Sequence, residues 1–423
     1  MTLGAGRDPG GPGSDVSRLL GGRFRSVAKR LGAYDRGGAI DILLGMATIF
    51  YSMSGEGRGH ATRVRAIVED LRTRHDVTLF APGQAYTLLG PIYRGTDVGI
   101  HPIDGLSFRY RAGGKLDYPG TLLAGLRELR RFPARVDELR RIVALAKPDL
   151  VITDFEPLLP RAARKEGVPY ISIDHQHFLL ECDLSEMPVA SRIRAAVMGL
   201  FTGAFYSRQK TTVVSSFYRP PLRHRPGKDV RQVGVLLGRD ILDAAPSQDD
   251  LVLAYLRRDP APNVLDALES CGHPVRVYGA GAREPRGKVE FLPVDREGFV
   301  RDLARCRFLV ATAGNQVVGE ALHLGKPVLA MPEPGNWEQE INGFWVERMG
   351  VGRCLPVAAL DARALGGFDA EATRFKDAMR WRIPAGNQDV SRIVEGVLSG
   401  LASESRAGFR PVASESVASG VAG

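Results

Sequence analysis

The sequence has few cysteines, no long apolar run and no excess of acidic residues, and each shortage excludes a class of protein. Its four cysteines, among 423 residues, are far apart and form no CxxC pair, so neither a zinc site nor a disulfide framework is expected. No stretch reaches the roughly 18 apolar residues that a membrane-spanning helix needs. A hydrophobic fraction of 44% with 25% charged residues also excludes a disordered or fibrous chain.

A surplus of basic residues gives the chain a net charge of +9. Such a surplus favours an anionic partner: a phosphate, a nucleotide, an acidic lipid or a nucleic acid. No nucleic-acid-binding motif accompanies the charge, so we expect no nucleic-acid partner. The sequence also shows no secretory signal. We therefore expect a cytoplasmic protein whose contact with an anionic membrane, at its inner face, is at most peripheral.

The length exceeds what one hydrophobic core usually fills, so two domains are expected. Apolar strands alternate with helices, a pattern typical of parallel sheets covered on both faces. We predict an α/β fold of two doubly wound, Rossmann-like domains that face each other across a cleft. The predicted divisions are 1–45 as a basic, disordered extension, 46–218 as the first domain, 219–228 as a proline-rich linker, 229–375 as the second domain, 376–401 as a helical segment and 402–423 as a disordered tail.

A glycine-rich loop, SGEGRGH at 54–60, follows the first predicted strand. Alternate glycines allow a sharp turn and the close approach of a ligand, and the helix that starts there offers backbone N–H groups to an anion. A dinucleotide site needs GxGxxG and an acidic residue after the second strand. The spacing here is GxGxG and the second strand ends at Pro82 without an acid, which leaves a dinucleotide-dependent oxidoreductase as a minor alternative.

His60 stands where this loop becomes a helix, at the mouth of the predicted cleft. An imidazole in that place can accept a proton from an incoming hydroxyl group, which makes His60 the first candidate for a catalytic base. The alternative is that His60 only caps the helix and orders the loop.

Polar residues follow two further strands of the first half. Asp154 and Glu156 come after the strand DLVITD, and Asp174 and His175 come after the strand PYISID. Both pairs should lie at the carboxyl ends of strands and face the cleft. A carboxylate beside an imidazole suits proton transfer, so Asp174 and His175 are the second candidate base. Acceptor binding, structural polar contacts and a metal site are alternatives that stay open for this cluster.

A strand, a tight turn and a helix form the second motif, FLVATAGNQVVGEALHLGKPV. The turn holds Gly314 and Asn315, and the amides of a helix that starts at such a turn suit a diphosphate. Glu320 lies inside the helix, where its carboxylate can accept hydrogen bonds from a ribose diol. The next strand leads to Glu338 and Gln339, whose side chains are suited to binding sugar hydroxyls. Taken singly, Glu320 and Gln339 also fit ordinary surface positions.

Three short sequences of the second half resemble the donor-binding signature of GT-B glycosyltransferases: Glu320-Ala-Leu, Gly325-Lys-Pro-Val and Glu338-Gln-x-x-Asn342. The resemblance is to bacterial UDP-sugar transferases related to the N-acetylglucosaminyltransferase that forms lipid II. It extends over residues 46–401 and is specific in the second half and loose in the first.

The resemblance implies that the second domain binds the donor. Residues that match Glu320 hold the ribose of a UDP-sugar in those enzymes, and residues that match Glu338 and Gln339 hold sugar hydroxyls. The turn that matches Gly314 and Asn315 faces the diphosphate. These five residues would thus come from one continuous stretch of the chain.

The first domain is implied to be the acceptor side. The loop that matches Gly57, Gly59 and His60 lies across the cleft in those enzymes, toward the diphosphate and the acceptor. We expect Asp154 and Glu156 on the same acceptor side.

The predicted activity is metal-independent hexosyl transfer with inversion, from a nucleotide sugar, expected to be a UDP-sugar, to a hydroxyl of a lipid, an envelope precursor or a secondary metabolite. Amides near Gly314 would stabilise the departing diphosphate, so no metal and no cofactor is expected, and the nucleotide sugar is a substrate. The alternatives are a nucleotide-sugar 2-epimerase of the same fold, for which Glu333, Glu338 and Glu340 would supply extra carboxylates, and a non-catalytic nucleotide-sugar binder.

Overall fold

The computed structural model describes residues 45–55, 58–105, 118–206, 208–256, 260–379 and 383–408. The predicted extension 1–45 therefore lies outside the described residues except for Gly45, and Gly57 lies outside them too. The described residues form two α/β halves, each built on a seven-stranded sheet. The predicted architecture of two doubly wound domains is confirmed.

The first sheet is parallel throughout. Its strands are β1 (Thr48–Met53), β2 (Asp76–Pro82), β3 (Gly99–Ile103), β4 (Leu150–Asp154), β5 (Tyr170–Asp174), β6 (Thr212–Ser215) and β7 (Val230–Val233). They lie in the order β3-β2-β1-β4-β5-β6-β7. Every residue of β4 and β5 is buried, because helices cover both faces of the sheet. The strand order reverses between β1 and β4, which opens a crevice at the carboxyl ends of those two strands.

Helices connect these strands. Those described in the first half are α1 (Arg58–Leu71), α2 (Gly83–Tyr93), α3 (Tyr118–Ala146), α4 (Leu158–Lys165), α5 (Phe178–Glu181) and α6 (Val189–Phe205). In α1, Val64, Ile67, Val68 and Leu71 are buried at helical spacing. This apolar stripe packs on the sheet, and it fixes which side of α1 faces the cleft.

The second sheet repeats the same winding. Its strands are β8 (Val252–Tyr255), β9 (Val275–Tyr278), β10 (Arg283–Arg286), β11 (Val289–Leu292), β12 (Phe308–Ala311), β13 (Val328–Ala330) and β14 (Gly352–Cys354). They lie in the order β10-β11-β9-β8-β12-β13-β14, with β10 antiparallel at the edge. The strand order reverses between β8 and β12, so this half has its own crevice there.

The helices of the second half cover its sheet, and the last of them returns to the first half. They are α7 (Arg239–Leu242), α8 (Pro262–Ser270), α9 (Arg296–Arg305), α10 (Asn315–His323), α11 (Trp337–Arg348), α12 (Ala362–Ala378) and α13 (Asn387–Gly408). Val390 and Val394 of α13 are fully buried in one apolar cluster with Ile49 and Tyr51 of β1. No helix in the described part of the chain combines the length and apolarity that crossing a bilayer requires.

The end of α13 differs from the prediction of a disordered tail from residue 402. The helix continues to Gly408. Glu404 forms an ion pair with Lys210 of the first half, at 2.7 Å, and this contact lies beyond the reach of a local sequence pattern.

The division between the halves also differs from the prediction, by one strand. We assigned residues from 229 onward to the second domain, but β7 lies beside β6 in the first sheet, with Val230 opposite Thr212. The segment 219–228 therefore joins two neighbouring strands of one sheet and is not the connection between the domains. An apolar pattern predicts that β7 is a strand, but it does not say which sheet the strand joins.

Two chain segments connect the halves side by side. The backbone N of Leu237 donates to Oδ1 of Asn387 at 2.9 Å, and Nδ2 of Asn387 donates to the Leu237 carbonyl at 2.9 Å. A side chain at Gly234 would overlap the Pro384 carbonyl, so the close backbone contact of the two segments requires glycine at 234.

Candidate active site

A cavity of about 1900 Å³ lies between the two halves. Residues that follow β1 and β4 line it from one side, and residues that follow β12 line it from the other. The crevices of the two sheets therefore open into the same space. Doubly wound proteins bind ligands at such crevices, so this cavity is the candidate active site.

The N-termini of α1 and α10 meet across the cavity. A side-chain carbon added to Gly59, in the first turn of α1, would lie 3.7 Å from Cβ of Gln316, in the first turn of α10. The first amides of a helix have no partner within the helix, and its N-terminus carries a partial positive charge. The N-cap residue of α10 is Gly314, which has no side chain to bond those amides. The arrangement therefore offers N–H groups and positive potential to an anion.

His60, in the first turn of α1, pairs with Asp154 at the end of β4. Nδ1 of His60 lies 2.9 Å from Oδ1 of Asp154. Arg63, one turn further along α1, donates to the same carboxylate, from Nε to Oδ2 at 2.8 Å and from Nη2 to Oδ1 at 2.6 Å. The His60 side chain is 13% exposed and lines the cavity. The first candidate base is therefore oriented by Asp154, a residue that we had placed on the acceptor side.

The carboxyl group of Asp154 is ionised although it is fully buried. Burial by itself would raise the pKa of Asp154, but the charge of Arg63 and the hydrogen bonds from His60 and Arg63 outweigh burial and hold this pKa below its ordinary value. The carboxylate can only accept a hydrogen bond, so Nδ1 of His60 is the donor, and in the neutral imidazole this leaves the lone pair on Nε2. Nη2 of Arg63 also lies 3.0 Å from Nδ1; when Nδ1 carries the proton, both nitrogens are donors and share Oδ1 of Asp154 as their acceptor.

Phe155 follows Asp154 in the left-handed conformation, with a φ of 54°. This conformation costs a non-glycine residue about 1 kcal/mol. The phenyl ring lies nearly parallel to the imidazole of His60, with the ring centroids 6.3 Å apart and an angle of 12° between the planes. Phe155 therefore forms an apolar wall beside the candidate base.

Glu156, which we expect on the acceptor side with Asp154, makes its hydrogen bonds to the backbone. Its Oε1 accepts from the backbone N of Leu158 at 2.7 Å, and its Oε2 accepts from the backbone N of Leu159 at 2.9 Å. Burial raises the pKa of Glu156 more than these bonds lower it. Glu156 contributes to the cavity wall, but its two oxygens satisfy the first amides of α4.

Asp174 and His175 do not form the second base that we predicted. Asp174 accepts hydrogen bonds from the backbone N of His177 at 2.9 Å and from its Nδ1 at 2.7 Å. His175 lies between the Ser215 carbonyl, 3.2 Å from Nδ1, and Oδ1 of Asn342, 3.1 Å from Nε2. Both side chains are fully buried away from the cavity, and burial lowers the pKa of His175. The described residues contain no group of three or more His, Cys, Asp or Glu that could hold a metal ion.

Gly314 and Asn315 lie at the start of α10 on the cavity wall. The side chain of Asn315 turns toward β6, where its Nδ2 donates to the Ser215 carbonyl at 3.3 Å and its Oδ1 accepts from the Phe217 backbone N at 3.4 Å. Asn315 therefore presents its backbone N–H to a ligand, while its amide side chain connects the two halves.

Glu320, buried on α10, is held by Arg296 of α9. Arg296 donates from Nη1 to Oε2 at 3.0 Å and from Nη2 to Oε1 at 3.1 Å, and Nε2 of Gln316 donates to Oε1 at 3.2 Å. Nε of Arg296 also donates to Oδ2 of Asp240 at 2.6 Å. A carboxylate has about four acceptor sites, so Glu320 can still accept a hydrogen bond from a ligand while Arg296 stays in place.

Glu338 and Gln339 occupy the first turn of α11 beside the cavity. Gln339 exchanges two hydrogen bonds with Glu333: its Oε1 accepts from the backbone N at 2.8 Å, and its Nε2 donates to the carboxylate at 3.1 Å. Oε2 of Glu338 accepts from Nε2 of Gln176, in the first half, at 3.3 Å. Gln339 thus shapes the loop before α11, while Glu338 joins the two halves.

Three residues of this site, Arg63, Gln176 and Arg296, were not among those predicted. Arg63 lies three positions after His60, which puts both on one face of a helix, and that spacing is a usable signal. Gln176 and Arg296 come from segments far along the chain from their partners, and no local pattern marks them.

Comparisons with known proteins agree in naming one kind of activity. The model of the family described as glycosyl transferase family 1 matches residues 47–372. An uncharacterized glycosyltransferase of Methanosarcina mazei is 24% identical over 335 residues, which cover 72% of this chain and 85% of that protein. Another, of Methanosarcina acetivorans, is 22% identical over 342 residues, or 73% of this chain and 85% of that protein.

Solved structures share the fold at lower identity. MurG of Acinetobacter baumannii superimposes with a TM-score of 0.55 and 14% identity, covering 83% of this chain and 99% of that one. UGT2 of Phytolacca americana, solved with UDP-2fluoro-glucose and pterostilbene, gives a TM-score of 0.61 and 15% identity, covering 84% of this chain and 99% of that one. At these identities the likeness shows the fold.

Proposed function

The chain belongs to the glycosyl transferase family 1, and from this premise we propose that it is an inverting hexosyltransferase that uses a UDP-sugar. It is a glycosyltransferase with the GT-B fold. The proposed acceptor is a hydroxyl of a lipid, an envelope precursor or a secondary metabolite. The observation that carries the proposal is the pairing of His60 with Asp154 on the cavity wall that faces the N-terminus of α10.

The second half has the groups that a nucleotide sugar needs. The first amides of α10, at Asn315 and Gln316, suit the diphosphate, and the carboxylate of Glu320 suits the ribose diol. Negative charge grows on the diphosphate as the sugar leaves. The partial positive charge of the helix terminus stabilises that charge and takes the place that a cation would otherwise fill.

The first half has the base. Nε2 of His60 would accept the proton of the acceptor hydroxyl, and Asp154 would stabilise the imidazolium that forms. Arg63 donates to both oxygens of the Asp154 carboxylate, including the Oδ1 that His60 contacts, and keeps this carboxylate ionised. General-base catalysis of this kind contributes about 10²- to 10⁴-fold to a rate.

Inversion is proposed from the positions of the base and the diphosphate site. His60 belongs to the first half and the α10 terminus to the second. An acceptor activated by His60 would approach the anomeric carbon from one side while the diphosphate departs on the other. Displacement from the opposite side inverts the configuration at that carbon.

The acceptor part of the cavity is largely apolar. Phe132, Phe155, Leu179, Met198 and Phe201 line it. An apolar wall with one polar group suits a ligand that has a hydrophobic body and a reactive hydroxyl. We propose that the protein works in the cytoplasm, in peripheral contact with the inner face of an anionic membrane.

A thermal-shift panel tests the donor. The purified chain is heated with UDP, GDP, dTDP, NAD or individual UDP-sugars, without added metal. A ligand that binds only the folded state raises the melting temperature. We expect a shift with UDP and a larger one with a particular UDP-sugar. A shift with NAD alone would contradict the proposal.

Product analysis then separates transfer from the epimerase alternative. The UDP-sugar that binds is incubated with and without a mixture of candidate alcohols and lipids, and the products are followed by NMR. Transfer requires an acceptor and yields a product with the anomeric configuration opposite to that of the donor. A changed sugar that forms without any acceptor would favour the 2-epimerase.

A further inference from the structure

We propose that the exposed face of α6 docks the protein on an anionic membrane and feeds a lipid-linked acceptor from that surface into the cavity. The surface, called the apolar α6 face below, consists of Val189, Ile193, Val197, Leu200 and Phe201. The docking part stands on the surface itself, whereas the acceptor part rests on the proposed function.

The apolar α6 face is unusually exposed. Leu200 is 76% exposed, Ile193 60% and Phe201 56%. Of the eleven large hydrophobic side chains that are exposed in the described part of the chain, five belong to this helix. Val189, Ile193, Val197 and Phe201 are four positions apart and Leu200 is three after Val197, which puts all five in one stripe. A contiguous apolar stripe in contact with water is typical of an interaction surface.

The helix is packed with its small side chains inward. Ala195 is 1% exposed and Thr202 1%. A side-chain carbon added to Gly199 would lie 3.3 Å from Cδ2 of Leu180 on α5. The small residues let α6 approach the body of the protein closely, and the large residues are left on the outside. This is the reverse of an ordinary surface helix, which buries its large apolar side chains.

The apolar α6 face continues into the cavity. Val197 and Phe201 of this face line the cavity, and Met198 between them lines it as well. Leu179 and Phe155 extend the apolar wall toward His60. A lipid chain lying along α6 could thus keep contact with apolar side chains while its head group enters the cavity.

The charges around α6 are complementary to an anionic surface. Residues 187–228 contain eight Lys or Arg and no Asp or Glu. Four of these cations form ion pairs with acidic residues outside the segment: Arg194, Lys210, Arg225 and Lys228. The loop within this segment packs beside α5, since Nη2 of Arg225 donates to the Leu180 carbonyl at 2.9 Å. Basic groups next to an exposed apolar helix favour anionic lipid, each by about 1 kcal/mol near the surface.

Two acidic residues near α6 are themselves paired with arginines. Glu340 of α11 forms an ion pair with Arg194, and Glu186 forms one with Arg348 at 2.7 Å. A second copy of the chain would bring the same basic segment against itself across a twofold contact. This repulsion is the reason to favour a membrane over a dimer as the partner.

Vesicle flotation with the full chain tests the proposal. The vesicles contain phosphatidylglycerol mixed with phosphatidylcholine, or phosphatidylcholine alone. We expect the wild-type chain to float with the anionic vesicles, and added salt to weaken this binding. Ile193→Glu and Leu200→Glu should each lower the bound fraction about tenfold, because each puts a charge into the contact.

The controls separate docking from folding and from donor binding. Leu145→Glu makes the same kind of change at a side chain that is 44% exposed on α3, and should leave vesicle binding unchanged. Leu200→Ser keeps the site neutral and should give an intermediate loss. All variants should bind UDP with equal affinity. If the wild-type chain does not bind UDP, the proposed function is contradicted, whereas the docking proposal is not affected.

Three results would overturn the proposal. The first is that the wild-type chain does not float with anionic vesicles. The second is that the two α6 variants float as well as the wild type does. The third is a wild-type dimer, seen by sedimentation velocity, that Leu200→Glu converts to a monomer, because the apolar α6 face would then be an interface between copies.

Discussion

Arg63 donates two hydrogen bonds to Asp154, and the same carboxylate forms a hydrogen bond with Nδ1 of His60. All three groups lie on the wall of the cavity or directly behind it, and Asp154 is fully buried. In the proposed mechanism Arg63 is a positioning residue, because it touches the carboxylate that orients the base and not the substrate.

We predict that Arg63→Met destabilises the protein by about 3–5 kcal/mol, because it leaves the Asp154 carboxylate buried without its guanidinium partner. Urea unfolding at pH 7 measures the change. The double variant with Asp154→Asn serves as the control. If the two residues act as a pair, the double variant loses less stability than the sum of the single ones; additive losses would mean that the pair contributes nothing.

Asp154 should also affect how stability depends on pH. Its pKa in the folded protein lies below the ordinary value, so its ionised form stabilises the fold at any pH above about 3.9. This contribution is lost as the pH falls from there through the lower, folded pKa. We predict that the free energy of unfolding falls less steeply below pH ~4 in Asp154→Asn than in the wild type. Equal slopes in urea titrations from pH 3 to pH 6 would show that Asp154 has no depressed pKa.

Glu320 should recognise the ribose of the donor. We predict that Glu320→Gln weakens UDP binding about tenfold, since a hydrogen bond to a charged group is worth about 1.5–3 kcal/mol. The matched test uses 2′-deoxy-UDP. The wild type should bind it more weakly than UDP, whereas Glu320→Gln should bind the two nearly equally. Calorimetry that finds the same preference in both proteins would place the ribose elsewhere.

The contact between the two connecting segments predicts a sharp difference between two glycines. Gly234→Ala should destabilise the protein by about 2–4 kcal/mol, because the methyl group would overlap the Pro384 carbonyl. Gly396→Ala is the control: it lies inside α13 with nothing within 4 Å of the new carbon, and should stabilise the helix by about 0.5–1 kcal/mol. Thermal unfolding measures the melting temperatures of the two variants. Similar melting temperatures would show that the two segments can move apart with little loss of folding free energy.

Much of the fold could be predicted from the sequence, because strands buried on both faces are apolar along their whole length. DLVITD and PYISID became β4 and β5, with every residue of both strands buried. The same pattern carries no information on pairing, so β7 was assigned to the wrong half. Helix α6 gave no amphipathic signal of the ordinary kind, because its large apolar residues face outward, and we did not predict it.

The candidate site was predictable where the chemistry is local. Glu320, Glu338 and Gln339 lie within one continuous stretch, and the structure places all of them on the cavity wall. Contacts between distant segments were not predictable. The sequence places Asp174 next to His175, but the turn after β5 directs the Asp174 carboxylate to His177 instead.

The most direct test of the mechanism is the His60→Ala variant, examined for donor affinity and for turnover together. Turnover is followed as slow UDP-sugar hydrolysis, in which water replaces the acceptor. We predict that the Kd for the UDP-sugar stays within about twofold of the wild-type value, while the rate falls about 10²- to 10⁴-fold. A variant that keeps the wild-type rate, or one that loses rate and affinity to the same extent, would contradict the assignment of His60 as the base.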